Sequence, residues 1–120
     1  MDAVLIVDDN PDLLEVMAEV LQTLGSLCVH TAHSGLEALN LYASVHPALV
    51  ILDEGLGDIG GSELLQRLRK LDPLDRKPAL FLTGLRSSVK CQPGDVVLEK
   101  PVEIERLLDV VRALVPARAG

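Results

Sequence analysis

The stretch ALVILD, residues 48–53, decides the fold of this chain. Five apolar residues lead into an acidic one, a pattern typical of a parallel strand buried on both faces. The pattern recurs in three further runs that end in polar residues: VLIV before Asp8-Asp9, PALFL before Thr83 and VVLE before Lys100. Because the carboxyl ends of parallel strands meet at one edge of a sheet, these polar side chains are predicted to share a pocket.

Helical spacing of apolar residues separates the strand-like runs. Helices are predicted over 12–24, from the capping box Ser34-x-x-Glu37 to Val45, from a cap at Ser62 to Leu71, and over 103–114. Strands are predicted over 4–7, 27–31, 48–52, 79–82 and 96–98. The alternation predicts right-handed crossovers and an α/β, doubly wound, five-stranded parallel sheet. Residues 84–95 hold few apolar anchors, so a helix there is expected to be shortened or absent.

The length of 120 residues fits a single domain, predicted over 1–115, with 116–120 as a frayed tail. Aromatic residues make up only 2%, so the core must consist mainly of aliphatic side chains. Cys28 and Cys91 lack metal-binding spacing and are expected to be reduced, packed thiols.

The composition and the amino terminus exclude several function classes. A net charge of −7 argues against direct nucleic acid binding, which needs clustered Lys and Arg. The chain shows no signal peptide and no apolar run long enough to span a membrane, which predicts a cytoplasmic protein.

Three carboxylates are predicted to meet at the sheet edge. Asp8 and Asp9 follow the first strand and Asp53 follows its predicted neighbour. Crowded carboxylates repel one another and favour a hard cation with oxygen ligands, so the pattern predicts Mg²⁺ binding. The alternative is that Asp8-Asp9 only caps the first helix.

Asp53 is the candidate nucleophile, since a carboxylate can attack phosphorus to form an aspartyl phosphate. Lys100 and Thr83 could place an ammonium and a hydroxyl beside the phosphoryl oxygens. The Lys100-Pro101 bond is a candidate for the cis form, which would aim Lys100 into the site. Glu54 is expected to point away from Asp53, because adjacent residues at a strand end face opposite sides.

Over nearly its full length the chain resembles the receiver domain of two-component response regulators. The resemblance rests on Asp8-Asp9, Asp53, Thr83 and Lys100-Pro101, in order and at strand ends. It implies a flavodoxin-like sheet of order 2-1-3-4-5, with Mg²⁺ held by the acidic pair, Asp53 and the carbonyl of Gly55. It also implies phosphorylation of Asp53 by a histidine kinase or histidine phosphotransfer protein, and a downstream protein partner.

The chain departs from the usual receiver pattern in the loop after Asp53, where Gly57 replaces a Pro and Gly60-Gly61 replaces Asp-Gly, and at two places further along. Val97 stands where a typical receiver has Tyr or Phe, and the segment from Thr83 to Lys100 is shorter than usual. The PALFLTGL stretch, with Gly84, partly matches the "FAT GUY" receivers, a subgroup that has a reduced helix in this segment. Gly84 lacks a Cβ and would let the backbone after Thr83 approach a phosphate.

Three function classes remain open on this sequence. The leading one is a phosphorylation-controlled switch, a phosphoacceptor and not a turnover enzyme. The second is a receiver-fold interaction module that works without phosphorylation. The third is an aspartyl-phosphate hydrolase, which is disfavoured because Gly55 occupies the place of its general acid.

Overall fold

The computed structural model describes residues 3–73, 77–84 and 92–115. Within them the chain forms five strands and four helices, in the order β1 (Ala3–Val7), α1 (Pro11–Thr23), β2 (Cys28–Ala32), α2 (Gly35–Val45), β3 (Leu49–Leu52), α3 (Gly61–Leu71), β4 (Ala79–Thr83), β5 (Val96–Glu99) and α4 (Ile104–Leu114). The five predicted strands and four predicted helices are present. Their ends differ from the predictions by one residue at most, except that α3 begins two residues before the start implied by a cap at Ser62.

The strands form one sheet in the order β2-β1-β3-β4-β5, and every neighbouring pair is parallel. This confirms the predicted α/β class and the order 2-1-3-4-5. From β1 the chain first moves outward to β2 and then returns to β3 on the other side. The carboxyl ends of β1 and β3 therefore lie side by side at the switch point, where such sheets bind ligands.

Two aliphatic cores cover the two faces of the sheet. Side chains alternate along each strand, so Ile6 and Ile51 face α1 and α4 whereas Leu5 and Val50 face α2 and α3. Tyr42 of α2 is buried in the second core, only 6% exposed. Because both faces are covered, β1, β3 and β4 are apolar almost throughout.

The helix starts confirm the predicted cap at Ser34 and correct the one at Ser62. Asn10 caps α1 and accepts bonds from the amides of Asp12 and Leu13. Ser34 caps α2 and accepts a bond from the Glu37 amide at 3.1 Å. The predicted cap of α3 at Ser62 is wrong: the cap position is Gly60, and Ser62 lies inside the first turn. A partner from elsewhere in the chain replaces the missing side-chain cap.

Asp58 ties the loop between β3 and α3 to the start of α2. Its carboxylate accepts bonds from the amides of Gly35 and Leu36, each at 3.0 Å. Both amides belong to the first turn of α2, where backbone donors have no partner within the helix. The loop is therefore fastened to a helix distant in sequence, although it contains several glycines.

We expect the free energy of unfolding of Asp58→Asn to fall less at low pH than that of the wild type. The bonds from Gly35 and Leu36 hold the pKa of Asp58 below its ordinary value of 3.8. A carboxyl with a lowered folded-state pKa stabilises the fold above the ordinary value, and this contribution is lost as the pH falls through the folded-state pKa. Urea unfolding from neutral pH down to about pH 3 measures the effect. Asp109→Asn, at an exposed position on α4, is the control, and equal acid slopes in all three proteins would contradict the prediction.

A buried ion pair lies at the opposite, amino edge of the sheet. Both terminal nitrogens of Arg69 donate to the carboxylate of Asp95, at 3.0 and 2.6 Å, and the Asp95 side chain is 1% exposed. Asp95 also accepts bonds from the amides of Ala79 and Gln92. The network joins the end of α3 to the starts of β4 and β5.

Three sequence predictions fall wholly or partly outside the described residues. The shortened helix predicted within 84–95 falls mostly on 85–91, and neither the frayed tail at 116–120 nor Cys91 is described. Cys28 is described as a free thiol, but it is exposed, so the expectation that it is packed is wrong. Across 3–73, 77–84 and 92–115, no helix combines the length and apolar character that a membrane span requires.

Candidate functional site

Three carboxylates converge at the carboxyl edge of the sheet, as predicted. Asp8 and Asp9 follow β1 and Asp53 follows β3, and each offers an oxygen within 4.8 Å of the others. Asp8 is buried, Asp53 is half-buried and Asp9 is exposed. An all-oxygen cluster that is partly open to solvent suits a hard divalent cation that keeps some of its waters.

The alternative role of the acidic pair, as a cap of α1, is taken by another residue. The side chain that caps α1 belongs to Asn10. Asp8 instead accepts a bond from the Asn10 amide at 2.9 Å, which fixes the turn between β1 and α1. The carboxylate of Asp9 is thus not needed for that cap.

Alternation along the strands places the Lys100 side chain with these carboxylates. Asp8 and Asp53 come two residues after Ile6 and Ile51, and Lys100 comes two residues after Leu98, so all three point toward the α1/α4 face. The Lys100 ammonium donates to Asp8 at 2.8 Å and to Asp53 at 3.2 Å. One cation thus links carboxylates from β1 and β3.

Lys100 keeps its positive charge in this setting. Partial burial lowers the pKa of its ammonium, but the hydrogen bonds and charges of Asp8 and Asp53 outweigh burial, so the pKa is raised above its ordinary value of 10.5. The pocket therefore holds three acidic groups and one fixed positive charge at neutral pH. A phosphoryl oxygen near Asp53 would meet an ammonium that is already oriented.

Thr83 is the last residue of β4 and is fully buried. Its carbonyl accepts a bond from the Lys100 amide at 3.1 Å, so the backbones of the two residues are paired. Thr83 comes two residues after Phe81, which pairs with Val97 of β5 and packs with it in the core between the sheet and helices α2 and α3.

The remaining predicted positions surround this pocket. The amide of Gly55 donates to Asp53 at 3.2 Å, which keeps Gly55 beside the candidate nucleophile. Gly84 is exposed directly after β4, and a Cβ there would meet no described atom within 4 Å. The Lys100–Pro101 peptide bond is cis.

For two acidic residues near Asp53, the sequence did not reveal that their side chains accept hydrogen bonds from the starts of helices. Glu54 bonds to the first turn of α3, and Asp58 bonds to the first turn of α2. Glu54 does point away from Asp53, as expected, but its partner could not be inferred from strand geometry. A weak signal existed for α3 alone, since Gly60 at its cap position has no side chain that could accept a hydrogen bond.

Comparison with known proteins places this geometry in context. A family model described as the response regulator receiver domain matches residues 4–112. Transcriptional regulatory protein TrcR of Mycobacterium tuberculosis is 35% identical over 116 residues, covering 92% of this chain but 44% of TrcR. The polar-differentiation response regulator DivK of Brucella ovis is 25% identical, covering 92% of this chain and 94% of DivK. The chain thus spans less than half of one relative and nearly all of the other.

Solved structures agree with these sequence relatives. The response regulator protein TrrA from Thermotoga maritima, in complex with Mg²⁺-BeF, superposes with a TM-score of 0.82 at 32% identity, covering 95% of this chain and 99% of that one. A CheY-like receiver domain from Methylobacillus flagellatus gives a TM-score of 0.84 at 26% identity, covering 95% and 98%.

Proposed function

Since the chain belongs to the family of response regulator receiver domains, we propose that it is a switch controlled by phosphorylation of Asp53. One geometric observation carries the proposal: the Asp53 carboxylate lies in a cluster with Asp8 and Asp9 and accepts a bond from the Lys100 ammonium. A nucleophile, a cation-binding oxygen set and a fixed positive charge are what phosphoryl transfer to a carboxylate requires.

In the proposed reaction an Asp53 oxygen attacks the phosphorus of a phosphohistidine on a histidine kinase or phosphotransfer protein. The O–P bond forms as the N–P bond breaks, and the imidazole nitrogen keeps the electron pair. Lys100 holds its ammonium beside the transferring oxygens. Thr83 is proposed to donate its hydroxyl once the phosphoryl group is in place, and Gly84 to let the adjacent backbone follow.

The acidic cluster fits a magnesium ion, because its three oxygens lie within 4.8 Å of one another and Asp9 faces solvent. We assign Asp9, Asp53 and the Gly55 carbonyl as the residues that would hold it, with Asp8 paired to Lys100 at their side. When bound, Mg²⁺ supplies positive charge against the phosphoryl oxygens. The complex of TrrA with Mg²⁺-BeF supports this assignment.

The output of the proposed switch is a change in protein contacts or onward transfer of the phosphoryl group. New charge-assisted bonds to the phosphoryl oxygens would favour an active conformer that already exists as a minority. We propose that the receiver domain comprises 1–115, lies in the cytoplasm, and neither binds DNA directly nor turns over a substrate. The net charge of −7 supports the absence of DNA binding.

Reaction of the wild-type protein with acetyl phosphate tests the proposed function. Intact-mass spectrometry should show a gain of one phosphoryl group that depends on Mg²⁺ and is lost under the mildly basic conditions that hydrolyse acyl phosphates. Amide NMR spectra with beryllofluoride and Mg²⁺ should change near Asp53 and Thr83. A protein that neither gains the group nor responds to beryllofluoride would instead support the phosphorylation-independent interaction module.

An apolar groove beside Lys100 offers a surface for the phosphoryl donor. It has a volume of about 390 Å³ and is lined by Leu13, Val16, Met17, Val20, Leu82, Lys100, Pro101, Val102, Ile104 and Leu107. Val16 and Ile104 are large hydrophobic residues that are 52% and 49% exposed. Asp12 and Glu19 are neighbours of Val16 on the surface of α1. We propose that a donor helix with an apolar stripe and basic flanks binds here.

We expect Val16→Asp to slow phosphorylation by a protein donor while leaving the reaction with acetyl phosphate unchanged. A charge in the groove opposes burial of an apolar partner surface, and loss of a central contact costs about tenfold or more in affinity. Initial rates with the phosphorylated donor and with acetyl phosphate measure the two effects. Leu71→Asp, an exposed apolar position on α3, is the control. If Val16→Asp were slowed equally with both donors, or with neither, the proposal that the donor binds in this groove would be contradicted.

A further inference from the structure

Helix α3 begins against the residue that follows the phosphoacceptor. Its cap position is Gly60, which has no side chain to accept the free amides of the first turn. Glu54 supplies the acceptors instead. Its carbonyl accepts from the Gly61 amide at 3.1 Å, and its carboxylate accepts from both the amide and the hydroxyl of Ser62, at 3.2 and 2.5 Å. Glu54 thus caps a helix that starts seven residues later.

The contact between this helix start and the end of β3 is close. A Cβ added at Gly61 would lie 2.3 Å from the Asp53 carbonyl oxygen and 2.9 Å from its carbon. A Cβ at Gly60 would lie 2.7 Å from a carboxylate oxygen of Glu54. Any side chain at position 61 would push α3 away from the backbone of Asp53. The first turn of α3 is therefore packed directly against the backbone of the candidate nucleophile.

The charge of Glu54 is also directed away from the acidic pocket. The amino end of a helix carries a partial positive charge that favours a carboxylate. The Glu54 carboxylate accepts its hydrogen bonds from Ser62 and is not one of the three carboxylates clustered at the sheet edge. The bond therefore serves the site in two ways, through backbone position and through charge.

We propose that Glu54 is a positioning residue for phosphorylation, which acts by holding Asp53 and Gly55 through the first turn of α3. The inference rests on the proposed role of Asp53 as phosphoacceptor. Glu54 lies between Asp53 and Gly55 in the chain, so its tie to Ser62 sets the direction of the backbone on both sides. A displacement of about 1 Å at a reacting group costs up to about a hundredfold in rate.

The test compares initial rates of phosphorylation by acetyl phosphate with Mg²⁺ in variants first shown to be folded by urea unfolding. Glu54→Leu removes the acceptor and should lower the rate at saturating acetyl phosphate by about tenfold. Glu54→Gln keeps an acceptor oxygen and should recover most of the rate. Ser62→Ala removes only the hydroxyl and should cost about threefold. Glu63→Gln removes a carboxylate from the same helix turn without touching Glu54 and should match the wild type.

A purely structural cap would lower the unfolding midpoint of Glu54→Leu while leaving its rate under folding conditions unchanged, and that result overturns the inference. If Glu54→Leu does not fold, a wild-type rate for Ser62→Ala overturns it instead. A lower rate in Glu54→Leu without recovery in Glu54→Gln would also contradict it. If the wild type itself gains no phosphoryl group, the proposed function fails. The amide shifts of Asp53 and Gly55 in Glu54→Leu, compared with Glu63→Gln, then decide the positioning role separately.

Discussion

Asp53→Asn is expected to abolish covalent phosphorylation of this protein. The amide retains the size of the carboxylate but lacks a nucleophilic oxygen, so no acyl phosphate forms. Loss of a nucleophile costs at least about a thousandfold in rate. The variant should fold, because it removes one charge from a cluster in which like charges repel. Mass spectrometry after reaction with acetyl phosphate and Mg²⁺ measures the loss, and urea unfolding verifies the fold.

Asp12→Asn is the matched control for this experiment. Asp12 is an exposed carboxylate in the first turn of α1, near the pocket in sequence. The Asp12→Asn variant should be phosphorylated at the wild-type rate. A phosphoryl adduct that persists in Asp53→Asn at an undiminished rate would show that another carboxylate is the acceptor. The roles proposed for Lys100 and Thr83, which assume that Asp53 is the phosphoacceptor, would then be wrong.

Asp95→Asn is expected to destabilise the fold by about 3 kcal/mol, because removal of one partner leaves the other charge of a buried pair uncompensated. The Arg69 side chain is 16% exposed and donates through both terminal nitrogens to Asp95. Such a loss is a large part of the total of about 5–15 kcal/mol for a domain of this kind. Urea unfolding followed by far-ultraviolet circular dichroism measures it.

The exposed pair between Glu63 and Arg67 is the contrast. Its atoms are 3.7 Å apart and both side chains are more than half exposed, at 57% and 53%. Glu63→Gln should change the free energy of unfolding by less than about 0.5 kcal/mol. If Asp95→Asn were equally mild, Arg69 would be able to find water or another acceptor, and the pair would not hold the amino edge together.

Strand-end residues of the candidate site could be predicted because a parallel sheet collects them at one edge. Asp8, Asp53 and Lys100 meet although they are far apart in sequence, and only the order and alternation of strands are needed to foresee it. Periodicity also gave the ends of most elements to within one residue, whereas the sheet order 2-1-3-4-5 came from the resemblance to receiver domains. Periodicity and strand polarity are properties that short stretches of sequence carry on their own.

The polar ties between elements could not be predicted in the same way. Asp58 reaches α2 across 22 and 23 residues, and Arg69 reaches Asp95 across 26. Such pairings depend on how loops pass one another, which no local pattern encodes. The error at Ser62 has the same origin, since a serine near a helix start predicts a cap whereas the actual acceptor is Glu54, eight residues earlier.

The buried position of Tyr42 also determines which part of the protein its intrinsic fluorescence reports on. The chain has one tyrosine and no tryptophan, so its intrinsic emission beyond the phenylalanine band comes from Tyr42 alone. The ring lies in the core beneath α2 and not at the acidic pocket. Tyrosine emission therefore reports on the packing of α2 against the sheet. We therefore expect the proposed binding of a metal at the pocket to leave this emission unchanged unless it moves the loop that Asp58 links to α2.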